Sequence, residues 1–511
     1  MAEVQNNIDK KRMAKNTVLL YIRMLFLLLV GFYSVRLLLT YLGVEDYGLY
    51  NVVFGLVTVF SFFSGAMQST VQRYLCYELG GGKTDNARKV FSATLAMFGI
   101  LSIAVLLFAE TAGLWFVCNK LNVPDGKAVL AQAVYQFSIF MVIFKVLQIP
   151  YIAAITSYEN MRTFAQFSIF DAFLHLASVV VLRFVPENRL ILFSALYTLS
   201  NLVVLISYAV YCRKKYDICR VWFKADKQYM KEMSSFFSWN LFGAVANISK
   251  QQGLNLLLNI FCGVVLNATW GIATQVGSAV SHFYISFQQA FNPQILKSYN
   301  DPDRNAFFEL LQSCSKYSFL LIWLVALPLL LQTEFFLKLW LGNTLPEGSV
   351  IFTQMMVVAI VIDAICAPLW MSVQATGNIR RYQVEISILI CSTFLFSLIA
   401  LKMGAPAYFV ALINTVINFT TLLYRLIYLR KAIGFPVLSY VMHSFIPMVL
   451  TASIGYFICL SVKRFFSDGL IYVFVYLAAV TLLNLLVISL VGLSGKERRT
   501  FMEYCKKKVG K

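Results

Sequence analysis

Charge is scarce in this chain. Charged residues fill 13% of its 511 positions, about half of the roughly 25% usual in soluble domains. Acidic residues are scarcer than basic ones, 24 Asp+Glu against 43 Lys+Arg. So little charge excludes a disordered tail, a nucleic-acid module and an ordinary water-soluble enzyme. The 10 cysteines stand singly, most of them inside apolar runs (Cys262, Cys366, Cys391, Cys459). No CxxC pair occurs, so neither a disulfide framework nor a zinc site is indicated. The three histidines, His175, His282 and His443, are too far apart in sequence to suggest a metal-ligand cluster. No metal or other cofactor is expected.

Apolar length is abundant: 59% of the residues come from the set AVILMFWYC. A helix needs roughly 20 apolar residues to cross about 30 Å of hydrocarbon, which leaves room here for about fourteen crossings. The expected class is therefore an all-α polytopic membrane protein. Spans are placed near 16–42, 48–72, 89–112, 129–156, 164–183, 189–212, 234–262, 265–294, 310–332, 350–373, 383–402, 406–429, 440–462 and 469–492. Aromatics at 15%, including 27 Tyr and 44 Phe, suit lipid-facing helices with interfacial belts.

The loops test that placement. Lys10, Lys11, Arg12 and Lys15 precede an apolar run without a small-residue cleavage site, which reads as a first membrane anchor. With the N-terminus cytoplasmic, about thirty basic residues fall inside. They include Arg73, Arg213, Lys214, Lys215, Lys297, Arg380, Arg425 and the tail residues Lys506, Lys507, Lys508 and Lys511. The outer loops hold Lys120, Lys127, Arg183, Arg189, Lys338, Lys402, Lys463 and Arg464. Both termini are thus expected in the cytoplasm. The net charge of +19 then reflects the positive-inside rule, and no nucleic-acid partner is implied. The longest loop, 213–233, carries Trp222, Phe223 and Tyr229 among its charges and reads either as an amphipathic linker on an anionic leaflet or as a solvated connector.

The two halves resemble each other where they begin. Leu37-Leu38-Leu39-Thr40 with Gly43 is echoed by Leu256-Leu257-Leu258-Asn259 with Gly263. The same distance beyond each glycine lies an amide-rich helix end, Gln68, Gln72, Arg73 and Tyr74 in one half and Gln288, Asn292, Pro293 and Gln294 in the other. The expected organisation is a lobe over 1–212, the basic linker 213–233, a parallel repeat of the lobe over 234–431, and two further spans with a basic tail over 432–511.

Gly80-Gly81-Gly82-Lys83-Thr84 looks like the end of a phosphate-binding loop. Tyr77 stands where the earlier glycine is required, and no strand precedes it, so it reads as a turn. Without a nucleotide site in this chain, movement driven by a gradient or a potential is what remains.

Charges inside the spans carry the information, because burying one costs several kcal/mol on at least some scales. The basic set is Arg23, Arg36, Lys145 and Lys250. Arg23 and Arg36 lie near opposite ends of the first span and could reach an interface. Lys145 and Lys250 fall near mid-span, where facing an aqueous cavity is expected. Around Lys250 stand Asn247, Gln251, Gln252, Asn255 and Asn259, and the next span continues with Gln275, Ser278, Ser281, Tyr284, Gln288 and Gln289. Amides against lipid would be unsatisfied, so these line a wet cavity or join helices by hydrogen bonds. Pro150 is expected to kink the fourth span beside Lys145. Among the acids, Asp171 and His175 share a helix face at i,i+4 and form either a proton relay or a structural pair. Asp363 is the lone candidate for a coupling-cation site, and Glu385 most simply pairs with Arg381, one turn before it.

A cavity lined by cations and amides selects an anion, and phosphate suits both lysine and arginine. Four segments resemble bacterial polysaccharide (O-antigen, Wzx-type) flippases of the multidrug/oligosaccharidyl-lipid/polysaccharide (MOP) superfamily. They are Lys15-Asn16-Thr17, the stretch from Leu42-Gly43-Val44-Glu45-Asp46-Tyr47 to Gly48-Leu49-Tyr50-Asn51, the run Asn255–Phe261, and the stretch from Phe291-Asn292-Pro293-Gln294 to Tyr299. The similarity extends over essentially the whole chain. It implies two six-helix lobes around a central cavity, two extra C-terminal helices and alternating access in the inner membrane. The implied cargo is an undecaprenyl-pyrophosphate-linked oligosaccharide of lipopolysaccharide biosynthesis. The implied partners are a polysaccharide polymerase and chain-length machinery. Arg23, Arg36, Lys145 and Lys250 suit the pyrophosphate by type and location. A MATE-like antiporter for cationic drugs is the alternative, and it would need Asp363 or Asp171 in its cavity.

Overall fold

The computed structural model describes residues 2–58, 62–119, 127–185, 188–220, 226–342, 345–463, 470–495 and 497–499. Trp222 and Phe223 of the linker, Lys120 and Arg464 of the outer loops and the tail lysines named above lie outside them. No strand occurs among the described residues. The helices are α1 (Ala2–Thr58), α2 (Phe62–Gly80), α3 (Thr84–Phe108), α4 (Leu114–Asn119), α5 (Ala128–Ser157), α6 (Met161–Val181), α7 (Arg189–Lys215) and α8 (Lys227–Ser298). They continue with α9 (Arg304–Leu331), α10 (Thr333–Leu341), α11 (Ser349–Thr376), α12 (Arg380–Lys402), α13 (Tyr408–Ile433), α14 (Val437–Tyr440), α15 (Ile446–Lys463) and α16 (Leu470–Val487). The glycine run 80–82 forms the turn between α2 and α3, with Gly82 at φ 69°.

Eleven helices among the described residues are long and apolar enough to cross a membrane, which makes this a multi-pass membrane protein. The three further spans expected from the sequence, 48–72, 234–262 and 265–294, are not among the eleven. Their described residues are helical; 234–262 and 265–294 carry the amides and Lys250 that lower their hydropathy, and 48–72 straddles residues 59–61, outside those described. The boundary expected between 262 and 265 falls at Gly263, whose non-helical backbone divides α8 into two helical arms.

That break has a counterpart in α1. Gly43 in α1 has φ 79° and ψ 171°, and Gly263 in α8 has φ 80° and ψ 177°. Only glycine enters this region without strain. A Cβ at either site would meet no atom within 4 Å, so the constraint is conformational and not steric. Gly43→Ala and Gly263→Ala should each cost about 1–3 kcal/mol. Each should lower the melting temperature of the detergent-solubilised protein, whereas Gly31→Ala, also in open space but not at positive φ, should not.

The chain divides into two compact units. The first comprises Met1–Ala244, Gln289–Asp301 and Gly377–Arg380. Its centre is α5, buried on most sides (Val134, Ile139, Val142, Val146, Ile149) among α1, α2, α3 and α7. Pro150 sits within α5. Two polar bonds fix α7 against α5: Thr198 donates to the Phe137 carbonyl at 2.9 Å, and the Gln148 amide to the Asn201 carbonyl at 3.1 Å.

The second unit comprises Val245–Gln288, Pro302–Thr376 and Arg381–Lys511. Its centre is α11, between α9 and α13. Leu254, Leu257, Leu258, Trp270 and Ala273 of α8 are buried with Phe352, Leu401, Val410 and Ala411. The Asn484 amide ties α16 to the Trp323 carbonyl of α9 at 3.2 Å. Beyond the last span, Glu497 pairs with Lys316 at 2.5 Å and accepts from the Tyr317 hydroxyl at 2.8 Å. Burial works against ionisation of this carboxyl. Lys316, the Ser494 N–H and Tyr317 outweigh it and hold the group below the usual glutamate value. Its contribution to stability is therefore complete above the ordinary value of about 4.3 and is lost as the pH falls through the depressed one. Glu497→Gln should flatten the acid limb of the thermal-stability profile, measured in detergent.

Candidate functional site

In the first unit the intramembrane cations are held by neutral groups. The Arg23 guanidinium donates to Gln289 Oε1 at 3.4 Å and stands 4.5 Å above the Phe164 ring. Its Nε is buried without a hydrogen bond. Lys145, half-buried on α5, donates to the Tyr197 hydroxyl at 3.2 Å. Tyr197 lies against the His175 ring, centroids 4.5 Å apart. Asp171 is within electrostatic reach of Lys145, yet no ion pair within 4.0 Å joins them among the described residues. Asp171 Oδ1 and His175 Nδ1 are both buried and unbonded, so the expected relay is not hydrogen-bonded here. Arg36 is exposed on α1, and nearby Asp46 is taken by Lys127 at 2.6 Å.

The second unit places Lys250 against α13, where its Nζ donates to Asn414 Oδ1 at 3.1 Å. Asn418, one turn further on, donates to Asp363 Oδ1 at 3.3 Å. Arg425 donates from Nε to the Tyr382 hydroxyl at 2.7 Å and from Nη1 to the Cys366 carbonyl at 3.4 Å. Lys250 and Arg425 both act electrostatically on Asp363, although neither forms an ion pair with it within 4.0 Å among the described residues. A carboxylate facing two fixed cations is a poor site for a third. Glu385 pairs with Arg381 at 2.9 Å and also accepts from Tyr424.

The amides divide by exposure. Asn247, Gln251, Gln252, Asn255, Asn259 and Gln275 are exposed, while Gln288 is half-buried.

Several polar residues of these clusters do not stand out in the sequence as site residues. Asn414, Asn418, Thr421 and Arg425 recur at intervals of four, three and four, one face of α13, and that spacing was the available signal. Arg425, counted by charge with the cytoplasmic loops, belongs to this helix. Arg73 is the other case. It is 8% exposed, its guanidinium lies 4.5, 5.2 and 5.4 Å from the rings of Tyr74, Tyr77 and Phe236, and Gly377 packs against it. Gly377 has φ 76°, and a Cβ there would fall 2.1 Å from Arg73 Nη2. Gly377→Ala should thus displace the guanidinium and lower thermal stability in detergent. Nearby in the same unit, Lys297 pairs with the buried Glu159 at 2.8 Å.

No family model and no curated protein matches the sequence. Solved structures do. A MATE transporter in its straight conformation aligns at TM-score 0.71 and 12% identity, over 83% of this chain and 97% of its own. A Vibrio cholerae MATE transporter in its bent form aligns at 0.67 and 13%, over 85% and 99%. A MOP-superfamily transporter from Pyrococcus furiosus, described by a reversed polarity of its binding pocket that suggests a different function, aligns at 0.68 and 11%, over 84% and 96%. At these identities the likeness is one of architecture: the chain is an all-α, multi-pass membrane protein with the fold of the MATE transporters.

Proposed function

We propose that this protein is a lipid-linked oligosaccharide flippase. It moves undecaprenyl-pyrophosphate-linked polysaccharide repeat units from the cytoplasmic to the periplasmic leaflet by alternating access. One observation carries the reading. Arg23, Lys145, Lys250 and Arg425 lie within membrane helices, and each donates to a neutral partner: Gln289, Tyr197, Asn414, and Tyr382 with Cys366. Positive charge in low dielectric without an ion-paired acid is costly unless a ligand supplies the counter-charge. A diphosphate does so with acceptors that suit both residue types. A transporter of similar fold, whose reversed pocket polarity suggests a different function, supports the idea that this architecture serves more than one function. Depleting the protein should make a lipid-linked glycan accumulate on the cytoplasmic leaflet, as read by leaflet-selective labelling. An unchanged leaflet distribution would reject the reading.

A second reading, a MATE-like cation-coupled multidrug antiporter, is favoured by the structural neighbours and by one half-buried carboxylate in each unit, Asp171 and Asp363. It predicts that Asp363→Asn or Asp171→Asn removes drug resistance and leaves glycan export intact.

A further inference from the structure

The first arm of α8 carries a second recognition element that the cation site does not use. Asn247, Gln251, Asn255 and Asn259 follow one another at four-residue intervals, so they stack along one side of the helix with a rise of about 6 Å per rung. All four are exposed, as is Gln252 beside them. The neighbouring face holds Leu254, Leu257 and Leu258 in the core of the unit, and Lys250 turns towards Asn414. Gln251, Gln252, Asn255 and Asn259 make no side-chain hydrogen bond among the described residues. Exposed amides cannot be left facing hydrocarbon, where each unmet polar group costs several kcal/mol, so this side of the helix faces water or a polar ligand. The ladder itself bears no charge and therefore has little to offer a diphosphate. Each rung presents a carbonyl acceptor beside two N–H donors, the combination that pairs with adjacent sugar hydroxyls. It runs from Asn247 to Asn259, about 18 Å along the axis, and ends one turn before Gly263.

We propose that this amide ladder binds the saccharide portion of the cargo, while Lys250 and Arg425 of the same unit hold its diphosphate. The assignment rests on the flippase reading above. The test is binding of two probes to the purified full-length protein in nanodiscs: a polyprenyl diphosphate without sugar, and the same lipid diphosphate bearing an N,N′-diacetylchitobiosyl group. The native protein should bind the glycosylated probe more tightly. The triple variant Gln251→Ala, Asn255→Ala, Asn259→Ala should bind the bare probe as the native protein does and lose roughly tenfold or more of the affinity for the glycosylated one, the worth of a few hydrogen bonds. Retained binding of the bare probe shows that the triple variant is folded. A native protein that binds both probes equally, or a triple variant that keeps the full sugar-dependent gain, overturns the ladder and leaves the flippase reading standing. A native protein that binds neither probe overturns both.

Discussion

Lys145→Ala and Lys250→Ala are each expected to cut export of surface polysaccharide sharply while the protein still inserts into the membrane. Both ammonium groups sit in the interior of helices, and each makes one hydrogen bond to a neutral oxygen, Tyr197 Oη at 3.2 Å and Asn414 Oδ1 at 3.1 Å. An ammonium has three donors, so two remain for phosphate oxygens. A hydrogen bond to a charged group contributes about 1.5–3 kcal/mol, so losing one should slow export by about 10- to 150-fold. Lys402→Ala, at the exposed end of α12, serves as the control and should export normally. Lys145→Arg keeps the charge and should keep part of the activity. Normal export from both alanine variants would reject a role for these lysines in holding the cargo.

The second large effect separates substrate binding from internal charge balance. Lys250 lies near Asp363, so its loss could act through an exposed imbalance and not through the cargo. Lys250→Ala removes one of two cations near Asp363 and leaves Asn414 Oδ1 without its donor, a destabilisation of about 1–3 kcal/mol. Adding Asp363→Asn removes the unbalanced carboxylate. The double variant should therefore recover thermal stability in detergent and remain inactive in export. A double variant that regains export would show that Lys250 serves only to neutralise Asp363. Asp363→Asn alone should retain export, since Arg425 stays fixed by Tyr382 and Cys366. The antiporter reading predicts instead that this single change eliminates drug efflux.

How far the sequence disclosed this architecture depends on which physical signal is local. Hydropathy is local, and it sufficed for the all-helical membrane class. It is weaker where a helix carries polarity: 234–262 and 265–294, with their amides and Lys250, are not among the eleven helices apolar enough to cross a membrane, and 48–72 straddles residues outside those described. Gly43 and Gly263, which the sequence echo sets side by side, share a conformation that glycine alone enters without strain. Lys145 and Lys250 announced themselves by their depth in apolar runs. Their partners Tyr197, Asn414 and Asn418 did not, because tyrosine and asparagine are common in such helices and pairing depends on how α5 meets α7 and how α8 meets α13. Arg73 was hidden for a related reason. Near a helix end it counts as an interfacial charge, and its aromatic surround comes partly from Phe236, far away in sequence.

The most direct test of the central claim, that the intramembrane cations serve an anionic lipid-linked cargo, is transport by the purified protein in proteoliposomes. A fluorescent polyprenyl-diphosphate oligosaccharide and a cationic dye would be followed in parallel vesicles. Translocation of the lipid diphosphate, its loss in Lys145→Ala and Lys250→Ala, and no movement of the dye are the predicted results. Dye movement that depends on Asp363, with the lipid diphosphate left in its original leaflet, would contradict the account.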